Sequence, residues 1–430
     1  MSAAETPPAD PQDHYAVFRI RDFRLYLTGR LVAVLGQQML TVAVGWELYE
    51  RTGSALALGF VGLSEMIAMV LLTLPAGHTA DNYNRKRIIL AALAVSSTAS
   101  LGLALISWQH AHVFWIYTCL FTSAAARTFL WPASSSFVTS LVPRDLFPRA
   151  VNWNSGTFQL SSVAGPALGG ALIALLKKYS DHPAAFIYLL NFLTALTCFT
   201  MVCLVRAKHV VANREDMTLK SLAAGFKFVF ATRIILGIIT LDMFAVFLGG
   251  ATALLPVYAK DILRVGPEGL GLLQAALPVG AFSCALFLAH RPPLQRAGRA
   301  LLWNVAAFGV ATIAFGLSHW FWFSMAMLFV CGAVDNVSVV VRHTLVQLIT
   351  PDDKRGRVSA VNSLFIGTSN ELGGFESGSV AHLCGPALGN TIAMGAMISV
   401  VTGGIGTILV VAGIAWFWPE IRRYGRLDGS

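Results

Sequence analysis

From residue 25 to residue 418 the sequence divides into twelve apolar runs, at about 25–49, 56–77, 87–107, 112–140, 150–176, 184–205, 234–259, 269–289, 300–317, 320–348, 358–383 and 392–418. A helix needs about 20 apolar residues to cross a ~30 Å hydrocarbon core. A chain inside that core must satisfy every backbone polar group internally. The pattern therefore predicts an all-α membrane protein with twelve transmembrane helices. Only 12% of the residues are charged, 56% are hydrophobic and the mean hydropathy is +0.65, whereas a soluble domain carries roughly a quarter charged residues. Residues 1–17 are polar and Pro-rich and hold no short apolar core ahead of a cleavage site, so no signal peptide is expected there.

A net charge of +9 would suit a nucleic-acid partner, but its distribution points to topology instead. With both ends cytoplasmic, the cytoplasmic segments hold 23 of the 31 Lys and Arg residues. The external loops hold five (Arg51, Lys177, Lys178, Lys260, Arg264), and Arg30, Arg127 and Arg342 fall within spans. The positive-inside rule then sets the N- and C-termini in the cytoplasm of a cell (inner or plasma) membrane, with the basic face against anionic lipid.

The longest connection, 206–233, separates six spans from six. It predicts a tail at 1–24, a six-helix bundle at 25–205, a cytoplasmic linker at 206–233, a second six-helix bundle at 234–418 and a tail at 419–430. Apolar residues at helical spacing over 219–231 suggest a helix lying on the membrane surface within the linker, with a plain solvated linker as the alternative. Residues 143–155 align with 351–363 at an offset of 208: Pro143, Asp145, Arg149, Asn154 and Ser155 meet Pro351, Asp353, Arg357, Asn362 and Ser363. The shared place between neighbouring spans favours duplication and two pseudo-symmetric halves.

Ionisable groups inside spans are expensive and mark pathways. Arg127 in span four and Asp335 in span ten correspond at the same offset. The pseudo-twofold would set them facing one another across a central cavity, an anion-binding Arg and a proton-carrying Asp, with structural ion pairing as the alternative. Asp242, Glu65 and Glu371 are further candidates for proton coupling. Glu376 lies more than a turn outward from Glu371, and the alternative for both is to anchor an outer gate or to sit in a water-filled mouth. Arg30 is within snorkelling reach of the cytoplasmic face, and Glu47 and Arg342 are expected in interfacial water. Among polar and aromatic residues, Arg127, Gln37, Gln38, Asn154, Phe158 and Phe244 are candidates to line a solute site. Gly165, Pro166, Gly169 and Gly170 give span five a bare, kinked face that a neighbouring helix can approach closely.

Between spans two and three stands the polar, basic stretch PAGHTADNYNRKR, 75–87. Gly77, Asp81, Arg85 and Lys86 match the G-x-x-x-D-x-x-G-R-K/R signature, and Asn84 replaces its usual Gly. This resembles the cytoplasmic signature of major facilitator superfamily transporters, and it implies an ion-pair latch between Asp81 and Arg85. SSVAGPALGG at 161–170 resembles the end of the motif associated with exporters of that superfamily. With SNELGGFESG at 369–378 and the span-seven and C-terminal sequences, the chain looks like the bacterial branch of enterobactin exporters and transmembrane secretion effectors. The resemblance covers Phe18–Leu427 and implies the major facilitator fold.

Neither a nucleotide loop GxxxxGK[ST] nor a GxSxG nucleophile elbow occurs. The six cysteines form no CxxC pair and no His pair has metal-ligand spacing inside a span, so neither metal nor cofactor is expected. The expected function is secondary active transport without enzymatic chemistry: proton-coupled export of an amphipathic small molecule, siderophore or drug-like, by a monomer using alternating access. The alternatives are a lipid or lysolipid flippase on the same fold and a membrane ligand sensor that moves nothing. The expected partners are the small-molecule substrate, protons and membrane lipids, with no nucleic acid.

Overall fold

The computed structural model describes residues 15–206, 226–291, 295–351 and 354–425, and of Asp81 only the backbone. Among these residues every regular element is helical. In the first half the long ones are α1 (Arg21–Thr52), α2 (Ala55–Asn82), α3 (Arg85–Trp108), α4 (Phe114–Leu141), α5 (Phe147–Leu176) and α6 (Pro183–Leu204). In the second half the long ones are α7 (Arg233–Leu248), α8 (Gly266–Ala289), α9 (Ala297–Gly316), α10 (Phe321–Ile349), α11 (Arg355–Cys384) and α12 (Ile392–Phe417). Ten helical segments among the described residues are long and apolar enough to cross a membrane. α4 and α11 have the length but are too polar to qualify by composition.

Helix ends follow local chemistry. Gly53 adopts φ 55° and donates its N–H to Tyr49 O, which ends α1 in the left-handed conformation that glycine tolerates. Ser54 caps α2, and Thr391 caps α12 by accepting from Met394 N. The polar stretch after Pro75 departs from expectation. α2 runs through Pro75 to Asn82, and the connection to α3 is only Tyr83 and Asn84. Asn84 has φ −62°, outside the left-handed region. Its side chain accepts from Lys86 N and Arg87 N, so it replaces the family glycine as a helix cap.

Span seven also departs from expectation. α7 stops at Leu248, and Gly249 and Gly250 interrupt it. A 3-10 turn Ala251–Leu254, a short helical turn Leu255–Val257 and a π turn Tyr258–Ile262 follow. A Cβ on Gly250 would stand 2.6 Å from the Gly373 carbonyl carbon. Backbone contact with α11 thus holds the break. In the linker, 226–231 is helical; the rest of the predicted surface helix, 219–225, lies outside the described residues.

The connections 53–54, 109–113, 177–182, 263–265, 317–320 and 385–391 mark one end of the molecule, here the far end. The linker marks the other. α2 packs on α11 and α5 on α8, joining the two halves of the chain. Both crossings are closest toward the far end. A Cβ on Gly378 would stand 2.8 Å from Gly59 Cα, and one on Gly170 2.9 Å from Gly271 Cα. At the far end one apolar core serves both halves, with Leu48, Tyr49, Ile116, Ile173 and Tyr188 beside Leu254, Tyr258, Leu270, Phe315 and Val400. Toward the linker end the cores separate. Phe23, Tyr26, Ile89, Phe137 and Val202 belong to one. Ile238, Leu301, Val341 and Ile414 belong to another.

Candidate functional site

The cavity of the first half measures about 290 Å³. α1 lines it with Tyr26, Arg30, Gln37, Gln38 and Thr41, and α3 with Ser96. Arg127, Trp131 and Ser134 come from α4, Phe158 from α5 and Asn191 from α6. Four of the predicted solute contacts, Gln37, Gln38, Arg127 and Phe158, therefore share one wall system. Gln38 is fixed by donating Nε2–H to Ser162 Oγ at 3.1 Å. Gly165 packs directly on Gln38, and a Cβ on Gly169 would stand 3.0 Å from Met39 Cα, so the bare face of α5 and the Pro166 within it bring α1 close. Trp131 is 68% and Phe158 40% exposed, which presents aromatic faces to whatever occupies the space.

Arg127 forms an ion pair with a neighbour in its own half, as the structural alternative allows. Its Nη2 pairs with Glu65 Oε2 on α2 at 2.5 Å. The sequence offset placed Arg127 and Asp335 at equivalent depths, but a carboxylate on the adjoining helix is nearer than one in the other half. Glu371 on α11 lies within Coulombic reach of both Glu65 and Arg127. Gly62, one turn before Glu65, abuts the backbone of Glu371: a Cβ there would stand 3.2 Å from its carbonyl carbon. Two carboxylates and one guanidinium thus meet where α2 crosses α11.

The remaining predicted residues lie elsewhere. Asp242 and Arg342 form an ion pair, 8% and 4% exposed. Arg342 is therefore inside the second half, because only a buried anion makes a buried guanidinium tolerable there. The Asp335 carboxylate, half-buried, has no hydrogen-bond or ion-pair partner among the described residues. Asn154 keeps a buried Oδ1 without a partner. Phe244 lines a separate apolar groove with Val70, Phe247, Phe365 and Leu372. The Glu376 carboxylate accepts from Ser377 Oγ at 3.4 Å. The Asp81 side chain of the expected latch lies outside the described residues. Gly77 is within α2. Arg85 Nη1 donates to Ser136 O at 3.2 Å, and Lys86 Nζ donates to Cys203 O and Val205 O at 2.9 and 2.7 Å. These cations sit on the carbonyl ends of α4 and α6, as the helix dipole favours.

A far-end network was not legible in the sequence. Glu47 is 7% exposed, accepts from Tyr188 Oη at 2.7 Å and pairs with Arg51 at 3.2 Å, so it does not lie in interfacial water. Its partners come from α6 and from one turn along α1, and no pattern within a single span announces them. Glu50 accepts from Trp46 Nε1 at 3.0 Å and pairs with Lys177 at 2.5 Å. Tyr49 reaches into the second half and donates to Asp261.

Ten helical segments of membrane-crossing length and composition among the described residues make this a multi-pass membrane protein. The model of the transmembrane secretion effector family matches residues 12–412, and the chain belongs to that family, within the major facilitator superfamily. It is 24% identical over 411 residues to the enterobactin exporter EntS of Escherichia coli O1:K1 / APEC, covering 94% of this chain and 93% of that protein. It is 25% identical over 414 residues to EntS of Shigella boydii serotype 4, with the same coverage. A bacterial homologue of the human lysosomal transporter Spinster, inward-facing and unoccupied, matches with TM-score 0.73 at 15% identity over 98% of this chain and 100% of that one. A bacterial homologue of the iron transporter ferroportin, inward-facing, matches with TM-score 0.65 at 17% identity over 91% and 99%. The likeness to these structures is one of fold.

Proposed function

We propose that this protein is a proton-coupled exporter of an amphipathic small molecule, with a siderophore such as enterobactin the leading substrate. In this reading all twelve helices cross the inner (plasma) membrane as two six-helix bundles, 25–205 and 234–418, with both termini cytoplasmic. The monomer works by alternating access, and the state described is closed at the external far end. The observation that carries the reading is the meeting of Glu65, Arg127 and Glu371 where α2 crosses α11. One guanidinium offsets one carboxylate and leaves the other in excess, so proton uptake changes the electrostatic balance of the crossing that must part when the external side opens. Asp335 is the second candidate for the coupling proton. Gly77, Asp81 and Arg85 act in this scheme as the cytoplasmic gate, and Gly165, Pro166, Gly169 and Gly170 let α5 slide against α1 and α8.

The test is transport in proteoliposomes with and without an imposed pH gradient, using enterobactin as solute. Uphill accumulation that follows the gradient supports the reading. Accumulation in the parent protein that ignores the gradient overturns the coupling.

A lipid flippase is the second reading. An apolar groove runs along α1, α5 and α8, lined by Leu27, Leu31, Leu160, Val163 and Phe282, of which Leu160 is 59% and Phe282 49% exposed. An acyl chain fits such a surface. Scrambling of a fluorescent phospholipid by the same vesicles, in place of enterobactin transport, would select it.

A further inference from the structure

We propose that the first-half cavity contains an anion subsite built on Arg30, so that the exported solute presents an anionic group carried on an aromatic body. The inference rests on the transport reading and specifies the chemistry of its substrate.

The sequence alone leaves Arg30 as a snorkelling cation. The structure turns it inward, on the α1 face that also presents Ala33, Val34 and Gln37 to the cavity. No Asp or Glu lines that cavity, although Arg30 and Arg127 both do. The charge of Arg127 is offset by Glu65. Among the described residues no carboxylate pairs with Arg30. Its hydrogen bond, from Nη1 to Tyr26 Oη, is long at 3.4 Å, and its Nε is buried without a partner. Ser96 Oγ, on the α3 wall, is likewise buried and unpartnered.

An uncompensated guanidinium with a free buried donor is costly in a membrane protein unless a ligand completes it. Its planar fork matches the oxygen pair of a carboxylate or a sulfonate. The rest of the wall fits an aromatic body: Trp131 and Phe158 offer ring faces, and Leu93, Leu130 and Val34 give apolar sides. At about 290 Å³ the space lies at the lower end of the usual ~300–1,000 Å³ range of ligand pockets. It suits one aromatic acid arm of a larger solute.

The experiment is calorimetric titration of the purified full-length protein with three probes of one shape: 1-naphthoate, neutral 1-naphthamide and cationic 1-naphthylmethylammonium. The expected result is naphthoate binding at least about tenfold tighter than naphthamide, as one charge-assisted contact confers, with the ammonium weakest. Arg30→Gln should bring naphthoate and naphthamide within about twofold, and Arg30→Lys should keep part of the preference. Ser96→Asp, which sets a carboxylate in the same cavity, should remove the preference without touching Arg30. Thermal melts establish that each variant is folded; if Arg30→Gln is not, Ser96→Asp decides. Equal binding of naphthoate and naphthamide by the parent overturns the proposal, as does an undiminished preference in folded Arg30→Gln or Ser96→Asp protein. The readout is binding, so it is separate from the vesicle assay. A transporter that ignores the pH gradient but keeps the naphthoate preference fails the coupling reading alone. One that follows the gradient without the preference fails the anion subsite alone.

Discussion

Tyr49, on the last turn of α1, donates its hydroxyl to the carboxylate of Asp261 in the π turn of the second half, and Lys260 lies over the same ring at 5.3 Å. The residues are 212 positions apart, and their contact ties the two halves at the far end. A hydrogen bond to a charged group contributes about 1.5–3 kcal/mol. Tyr49→Phe keeps the packing and removes the bond. It should raise the labelling rate of a cysteine placed at Ala276, in the shared far-end core, by about fivefold or more. An unchanged rate would show that apolar packing alone keeps this end closed.

Asp242 and Arg342 should behave as a structural pair. Removing one partner of a buried pair costs about 3–5 kcal/mol, whereas replacing both by apolar residues of similar volume is often nearly neutral. Asp242→Asn should therefore lower the melting temperature clearly, and Asp242→Leu with Arg342→Met should melt well above it. A double variant that melts as low as the single would refute this. If the folded double variant still concentrates solute along a pH gradient, Asp242 is not the coupling acid.

Two glycines of α5 offer an internal control. A Cβ on Gly169 would press on Met39 Cα at 3.0 Å, while one on Gly156 meets nothing within 4 Å. Gly169→Val should reduce transport at least about tenfold, because α1 cannot yield its backbone to a branched side chain. Gly156→Ala should transport like the parent and melt slightly higher, since helical Ala is favoured over Gly by ~1 kcal/mol. Equal transport by the two variants would leave the close approach of α1 and α5 without a functional role.

Sequence periodicity made the helices legible, because length and apolarity are read along a single strand of chain. The break at Gly249–Gly250 was harder to see. Those residues sit in a run as apolar as its neighbours, and the cause of the break, the backbone of Gly373, is more than a hundred residues away. The cavity was half legible. Gln37, Gln38, Arg127 and Phe158 were identified by polarity or aromaticity inside spans, and the structure gathers them around one cavity from three helices. Pairing was the weak point. Symmetry set Asp335 across the cavity from Arg127, but it says nothing about which neighbour within one half meets the guanidinium. The adjoining α2 supplies that neighbour, Glu65. Glu47, assigned to interfacial water by its place near a span end, is instead enclosed by Tyr188 and Arg51.

The carboxylates of Glu371 and Asp335 separate two accounts of proton coupling. Glu371 belongs to the α2–α11 crossing and feels both Glu65 and Arg127, so its charge acts directly on the contact between halves. Asp335 stands on α10 without a partner among the described residues, so its charge acts on whatever occupies the space beside it. Glu371→Gln removes the excess negative charge and leaves the Glu65–Arg127 pair complete. It should hold the far end closed, abolish gradient-driven accumulation and keep equilibrium binding of solute within about twofold. Asp335→Asn should leave gradient-driven accumulation at half the parental level or more. Vesicle transport with and without an imposed gradient, read beside solute binding, distinguishes the two. If Asp335→Asn ignores the gradient while Glu371→Gln still follows it, the coupling proton sits in the second half. The charge cluster at the crossing is then a static tie between α2 and α4.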